Sequence, residues 1–159
     1  MEETRVASII GFYGYSGSGK TTLINHLIMH FRERGLSIGV IKISDKVGSV
    51  EEEGKDTALF RQSGAMITGF SSKSETNIIV NHPKETLQII DDIKTISAVD
   101  LIFIEGARLE SIAKIRLGKK PLRANTVMTY CGDIEEVIQG IEKILQKNGD
   151  RHGNKNCRH

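Results

Sequence analysis

A chain of 159 residues with 38% apolar and 26% charged residues has the composition of a soluble globular domain and enough length to bury a core without disulfide staples. Its net charge of +2 leaves no electrostatic footprint for nucleic acid or an acidic membrane surface, and no apolar run approaches the roughly 20 residues of a spanning helix. Cys131 and Cys157 do not make a disulfide framework, and MEETR at the start carries acids where a secretory leader is basic, so a reducing, cytoplasmic setting is expected.

The run from Val6 to Tyr13 is short, apolar and partly β-branched, as a strand buried on both faces of a parallel sheet requires. From Lys20 to Arg34 the period changes: Leu23, Leu27, Ile28 and Phe31 recur at helical spacing and Gly35 follows as a stop. Leu36 to Ile43 reads as a second strand, completing a βαβ unit. Further on, Lys55 to Gln62 suits a short helix, Ala65 to Phe70 and Asn77 to Val80 short strands, and Pro83 to Ile96 a helix opened by proline. Val99 to Gly106 (VDLIFIEG) is a strong strand, with Ser111 to Leu117 and Asn125 to Tyr130 after it. DIEEVIQGIEKILQK then forms an amphipathic helix, with Asp133 and Glu136 spaced as a capping box. The expected organisation is one α/β domain over residues 1–147, three-layered with a mostly parallel central sheet, and a disordered tail over 148–159.

Between the first strand and the first helix stands GYSGSGKT, Gly14 to Thr21. Gly14, Gly19, Lys20 and Thr21 satisfy G-x-x-x-x-G-K-[ST], the phosphate-cradling P-loop pattern, in the strand-to-helix context that gives the pattern meaning. From ordinary residue frequencies a chance match in a chain of this length is on the order of one in a hundred. The loop backbone of Gly14, Ser16, Gly17, Ser18 and Gly19 must curl with its N–H groups inward, and the following helix N-terminus favours an anion. Lys20 is the residue to reach the β- and γ-phosphates, Thr21 to offer its hydroxyl to Mg²⁺, and Thr22 to meet the α-phosphate. The rival dinucleotide fingerprint G-x-G-x-x-G fails, because Thr22 stands where its third glycine belongs.

Such a loop needs an acidic partner for the metal at the end of a neighbouring strand. Glu105 ends DLIFIE and is the first candidate, as metal residue and with Lys20 as catalytic residue; Asp45, just past the second strand, is the other. Asp100 begins its strand and is expected to be structural.

With the loop go IGVIK at Ile38–Lys42, GKDT at Gly54–Thr57, SGA at Ser63–Ala65, and DLIFIEGA ending near AKI at Ala113–Ile115. Over roughly residues 6–117 the chain resembles the molybdopterin-guanine dinucleotide biosynthesis protein B family. The resemblance implies a P-loop NTPase fold and a cytoplasmic, dimeric GTP-binding protein. It implies assistance to the guanylyltransferase that attaches GMP to molybdopterin, and contact with molybdopterin itself. It also implies phosphate and Mg²⁺ roles for Lys20, Thr21 and Glu105, and a family site at Lys55 and Asp56 near the nucleotide or cofactor. The chain departs from the family pattern at Ile43–Asp45, where histidines usually stand, at Ala107 and Arg108 in place of Phe-Lys, and at Ala113 in place of proline. Guanine choice has no local motif, since Asn-Lys-x-Asp is absent; GTP is implied by the resemblance and ATP stays open.

Arg108, just past the metal strand, is a further candidate for a phosphate. The basic run Arg116–Arg123 reads either as a solvated turn or as an anion-binding lid or a surface for the phosphate-bearing pterin. His152, Cys157 and His159 contain soft ligands on a tail with little pre-organisation, and His26 and His30 share a helix face without a third ligand. The leading expectation is a Mg²⁺-dependent NTPase, slow on its own because no arginine finger or water-positioning glutamine is evident. A small-molecule kinase, a metallochaperone NTPase and a non-catalytic binding module are the alternatives.

Overall fold

The computed structural model describes residues 6–46 and 56–153, with the side chains of 149–153 left aside. It divides into two compact units, one built from the chain up to Ser44 and from Ile89 onward, the other from Asp45–Gln88. The elements are β1 (Ser8–Gly14), α1 (Lys20–Glu33), β2 (Ile38–Lys42), α2 (Asp56–Gln62), β3 (Ile67–Ser71), β4 (Thr76–Val80), α3 (Thr86–Ile96), β5 (Leu101–Glu105), β6 (Ala113–Leu117), β7 (Thr126–Tyr130) and α4 (Ile134–Gly153). Among the described residues no helix is long and apolar enough to cross a membrane.

In the first unit five strands form one sheet in the order β2-β5-β1-β6-β7, every neighbouring pair parallel. One face of this sheet carries Ile10, Phe12, Phe103, Ile115 and Leu117 and is covered by Leu23, Leu27 and Phe31 of α1 and Val137, Ile138 and Ile141 of α4. Phe103 meets Phe12 edge-on at a centroid distance of 5.4 Å. The other face packs Ile41, Ile102 and Ile104 against Ile90 of α3 and against Ala107 and Ile112 of the link between β5 and β6. Helices, sheet, and helix with links make the three layers of a P-loop NTPase fold.

That link, Gly106–Ile112, is a crossover without a helix. β5 and β6 flank β1, so the chain must pass over β1 to reach its place. Gly11 makes room for it: a Cβ there would stand 2.4 Å from the Ala107 Cβ. The second link, Gly118–Asn125 between β6 and β7, also lacks a helix. Irregular backbone leaves carbonyls that need donors, and long polar side chains of the sheet and its links supply them. Lys114 of β6 is wholly buried and donates to Ile112 O at 3.0 Å and Ala124 O at 2.7 Å. Arg123 donates to Ala107 O, and Asn125, the one described non-glycine residue at positive φ, donates to Glu110 O.

The second unit pairs β3 and β4 antiparallel, Ile67 opposite Val80 and Ser71 opposite Thr76. The apolar runs Ala65–Phe70 and Asn77–Val80 therefore make a separate hairpin and do not extend the central sheet. Their SSKS turn explains this: the Ser72 hydroxyl oxygen accepts from the Ser74 and Glu75 amides, and the Ser72 amide donates to Glu75 O. Such a turn returns the strand directly, where a parallel neighbour needs a crossover.

Other boundaries move for local reasons. The helix expected from Pro83 begins at Thr86, with Gln88 Oε1 accepting from the Glu85 amide. α4 continues to Gly153, past Asn148, at which the tail was expected to begin; Cys157 and His159 lie outside the described residues. Asp133 caps α4 through Oδ1, which accepts from the Glu135 and Glu136 amides. Asp100 is structural: Oδ2 accepts from the Ser37 amide and hydroxyl, both at 2.8 Å.

Burial lowers the pKa of Lys114 below the ordinary 10.5, a shift opposed by Glu110 and Tyr13 and aided by Arg123. The folded state therefore disfavours the ammonium, and that penalty is fully present at pH values below the lowered pKa. It is relieved as pH rises toward 10.5, where the unfolded lysine still holds its proton. In denaturant unfolding across alkaline pH, the wild type is expected to gain stability relative to Lys114→Met. Parallel profiles for the two proteins would contradict this.

Candidate functional site

β1 delivers the chain to the C-terminal edge of the sheet at Gly14, next to the end of β6. A side chain is excluded there, since a Cβ on Gly14 would lie 2.6 Å from both Leu117 O and Ser18 Oγ. The loop turns through Gly17 (φ 74°) and Gly19 (φ 85°), where any L side chain is strained although space is open around both. Gly19 is the N-cap of α1 in left-handed conformation with no side-chain cap, and the first turn of α1 has no acidic residue. The positive end of the helix is thus left for an external anion.

Lys20 folds back over the loop, donating to Tyr15 O at 2.7 Å and Gly14 O at 3.3 Å, with Ser18 Oγ at 3.5 Å. Its ammonium is held where phosphate oxygens would replace those carbonyls. Thr21, one residue on, donates its hydroxyl to Glu105 Oε2 at 2.9 Å. The sheet sets this contact: Phe12 is level with Glu105 on one side, and Lys42 is level with Glu105 on the other. Lys42 Nζ lies 3.9 Å from Glu105 Oε1, and the Glu105 side chain is only 14% exposed. After it, Gly106 (φ 85°) presses against Ile43 O, where a Cβ would come within 2.7 Å, and so turns the chain away from the site.

Gly14, Ser18, Lys20, Thr21 and Glu105 are thereby brought together. Ser16 and Gly17 form the exposed crest of the loop, and Thr22 lies exposed in the first turn of α1. Arg108 is exposed on the β5–β6 link. Asp45 and Asp56 belong to the second unit, and Lys55 lies outside the described residues. Among the described residues no three His, Cys, Asp or Glu side chains cluster as a metal centre. The hydroxyl and carboxylate of Thr21 and Glu105 are hard oxygen donors side by side, the set that suits Mg²⁺ completed by water and phosphate oxygens, and they fit that ion.

Two contacts escape a reading of the sequence. Lys42 ends β2 as Glu105 ends β5, and counting both strands from their edges would have paired them. Lys120, on the β6–β7 link, holds Nζ 5.4 Å from the centroid of the Tyr15 ring in the loop; no sequence spacing announces that pair. Of the readings open for Arg116–Arg123, a purely solvated turn is too simple, since Arg116 donates to Thr129 Oγ1 at 3.1 Å and Lys120 O at 3.0 Å.

The family model described as molybdopterin guanine dinucleotide synthesis protein B matches residues 9–140. The molybdopterin-guanine dinucleotide biosynthesis adapter protein of Escherichia coli is 36% identical over 112 residues, 69% of this chain and 64% of the relative. The adapter protein of Haemophilus influenzae is 32% identical over 115 residues, 72% of this chain and 65% of the relative. The chain thus matches just under two thirds of the length of these relatives. Among solved structures, MobB of Bacillus subtilis superposes with a TM-score of 0.70 at 19% identity, covering 86% of this chain and 97% of that one. The MobB homologue of Bacillus stearothermophilus superposes with a TM-score of 0.61 at 17% identity, covering 87% and 98%. These two show the fold; the model match over most of the chain, with the sequence relatives, shows that this protein belongs to the molybdopterin guanine dinucleotide synthesis protein B family.

Proposed function

We propose that the protein is a Mg²⁺-dependent, GTP-binding accessory of molybdopterin guanine dinucleotide biosynthesis, acting in the cytoplasm with the guanylyltransferase and in contact with molybdopterin. The observation that carries the reading is the convergence of Lys20, Thr21 and Glu105 at the mouth of a strand–glycine loop–helix unit. The loop amides and Lys20 would hold the β- and γ-phosphates, and Thr21 and Glu105 would hold Mg²⁺. The ion, when bound, supplies charge neutralisation across the phosphate oxygens. Lys42, with Nζ 3.9 Å from Glu105 Oε1, places a positive charge beside that carboxylate. Asp45 and Arg108 are candidates for supporting roles by their positions just past β2 and β5, and Lys55 and Asp56 are assigned to the nucleotide or cofactor on the family resemblance alone. GTP is preferred to ATP on that resemblance too.

Hydrolysis by the isolated protein should be slow. The residues gathered at the loop bind and position phosphate but include no arginine finger, and intrinsic turnover without one falls to about 10⁻⁴ s⁻¹. The homodimer expected from the family is supported by the second unit. Ile67 and Ile78 share one face of its hairpin and are 63% and 55% exposed, and a lone two-stranded sheet is marginal in water.

Titration calorimetry with GTP and with ATP in Mg²⁺ is expected to show binding that Lys20→Ala weakens by about tenfold to a hundredfold, as loss of a charge-assisted phosphate contact should. Absence of binding for both nucleotides, or an unchanged affinity in the variant, would remove the reading. In sedimentation experiments the wild type is expected to be dimeric, and Ile67→Asp with Ile78→Lys to shift it to monomer. A wild type that stays monomeric at every concentration would exclude the dimer.

A further inference from the structure

Lys114, Arg116, Lys119, Lys120 and Arg123 occupy a stretch with no acidic residue between Glu110 and Asp133. Three of these cations are taken up internally. Lys114 bonds two carbonyls, Arg116 bonds Thr129 and the Lys120 carbonyl, and Arg123 lies over the Tyr13 ring at 4.8 Å while donating to Ala107 O. Lys119 and Lys120 are different: among the described residues neither ammonium has a carboxylate or carbonyl partner. Lys119 is exposed, and Lys120 holds its Nζ over the face of Tyr15 in the phosphate loop.

The backbone that carries these two lysines is held in place. Arg116 grips the Lys120 carbonyl, the Tyr13 hydroxyl accepts from the Arg123 amide at 3.0 Å, and Thr126 Oγ1 donates to Arg123 O at 2.7 Å. Lys114 holds Ala124 from below. The link follows Leu117, the last residue of β6, whose carbonyl leaves no room for a Cβ on Gly14. A solvated turn needs none of these anchors. Here they fix the backbone that carries Lys119 and Lys120, with Lys120 over the Tyr15 ring of the phosphate loop and, among the described residues, no carboxylate beside either lysine; two such neighbouring cations concentrate anions locally.

We propose that Lys119 and Lys120 form a second phosphate subsite next to the P-loop, which takes the phosphomonoester of a small ligand while the P-loop holds nucleotide. Two ammonium groups match the charge of a phosphomonoester near neutral pH, about −1.5 to −2, and lysine binds phosphate as a mobile point charge. The subsite deepens the function proposed above and rests on it for nucleotide in the P-loop. It gives the second phosphate-bearing reactant a place beside the first.

The test is titration of phenyl phosphate, with inorganic phosphate in parallel, into full-length protein saturated with GDP and Mg²⁺ so that the P-loop is filled. Saturable binding of the ester is expected, tighter than that of inorganic phosphate. Lys119→Gln with Lys120→Gln should weaken it by about tenfold and leave GDP affinity unchanged. No saturable ester binding, equal binding by the double variant, or inorganic phosphate binding as tightly as the ester would overturn the proposal. So would a loss of GDP or GTP affinity in the double variant, which would assign the lysines to the nucleotide itself. Failure of the nucleotide reading has another signature: no GDP binding by the wild type, with ester binding that still depends on Lys119 and Lys120.

Discussion

The hydrogen bond from Thr21 to Glu105 joins two parts of the chain far apart in sequence, and the first unit is organised around making it. Thr21 reaches its place because α1 starts at once after a loop that only glycine can turn at φ 74° and 85°. Glu105 reaches its place because β5 pairs with β1 in a register that sets it level with Phe12. A slip of one residue in that pairing would send the carboxylate to the opposite face of the sheet. The buried stack of Phe12, Phe103 and Phe31 beneath it secures the register, so the core and the site depend on the same strands.

The other face of the sheet shows what a helix normally provides. Where β5 connects to β6 and β6 to β7, irregular links take the place of crossover helices, and their carbonyls are satisfied by Lys114, Arg123 and Asn125. A buried lysine is costly to desolvate, yet leaving such carbonyls unpaired costs about 1–3 kcal/mol each. The compensation also has a functional side. It ties the link that leaves Glu105 to the link that carries Lys119 and Lys120, so the Glu105 carboxylate and the basic loop are braced against one frame.

Much of this was legible in the residues. GYSGSGKT between an apolar run and an amphipathic helix located the cradle, and DLIFIE followed by glycine located the carboxylate, because both patterns are local and periodic. The capping role of Asp133 and the structural role of Asp100 follow from position at element ends. What stayed hidden was non-local. The hairpin of β3 and β4 reads as two ordinary short strands until the Ser72 turn is seen to close them on each other. Lys114 looks like an outward-facing strand residue until the link above it is placed. Tyr15 and Lys120 meet only because β1 and β6 are neighbours, and adjacency of strands is not written in either one.

The central claim is that Thr21 and Glu105 are the protein's share of a Mg²⁺ site under a bound triphosphate. GTP affinity measured with Mg²⁺ and with EDTA, in the wild type and in Glu105→Gln, tests it most directly. Mg²⁺ is expected to strengthen GTP binding in the wild type, and Glu105→Gln to lose this gain while keeping the metal-free affinity. Wild-type binding indifferent to Mg²⁺, or a variant with the full Mg²⁺ dependence, would contradict it.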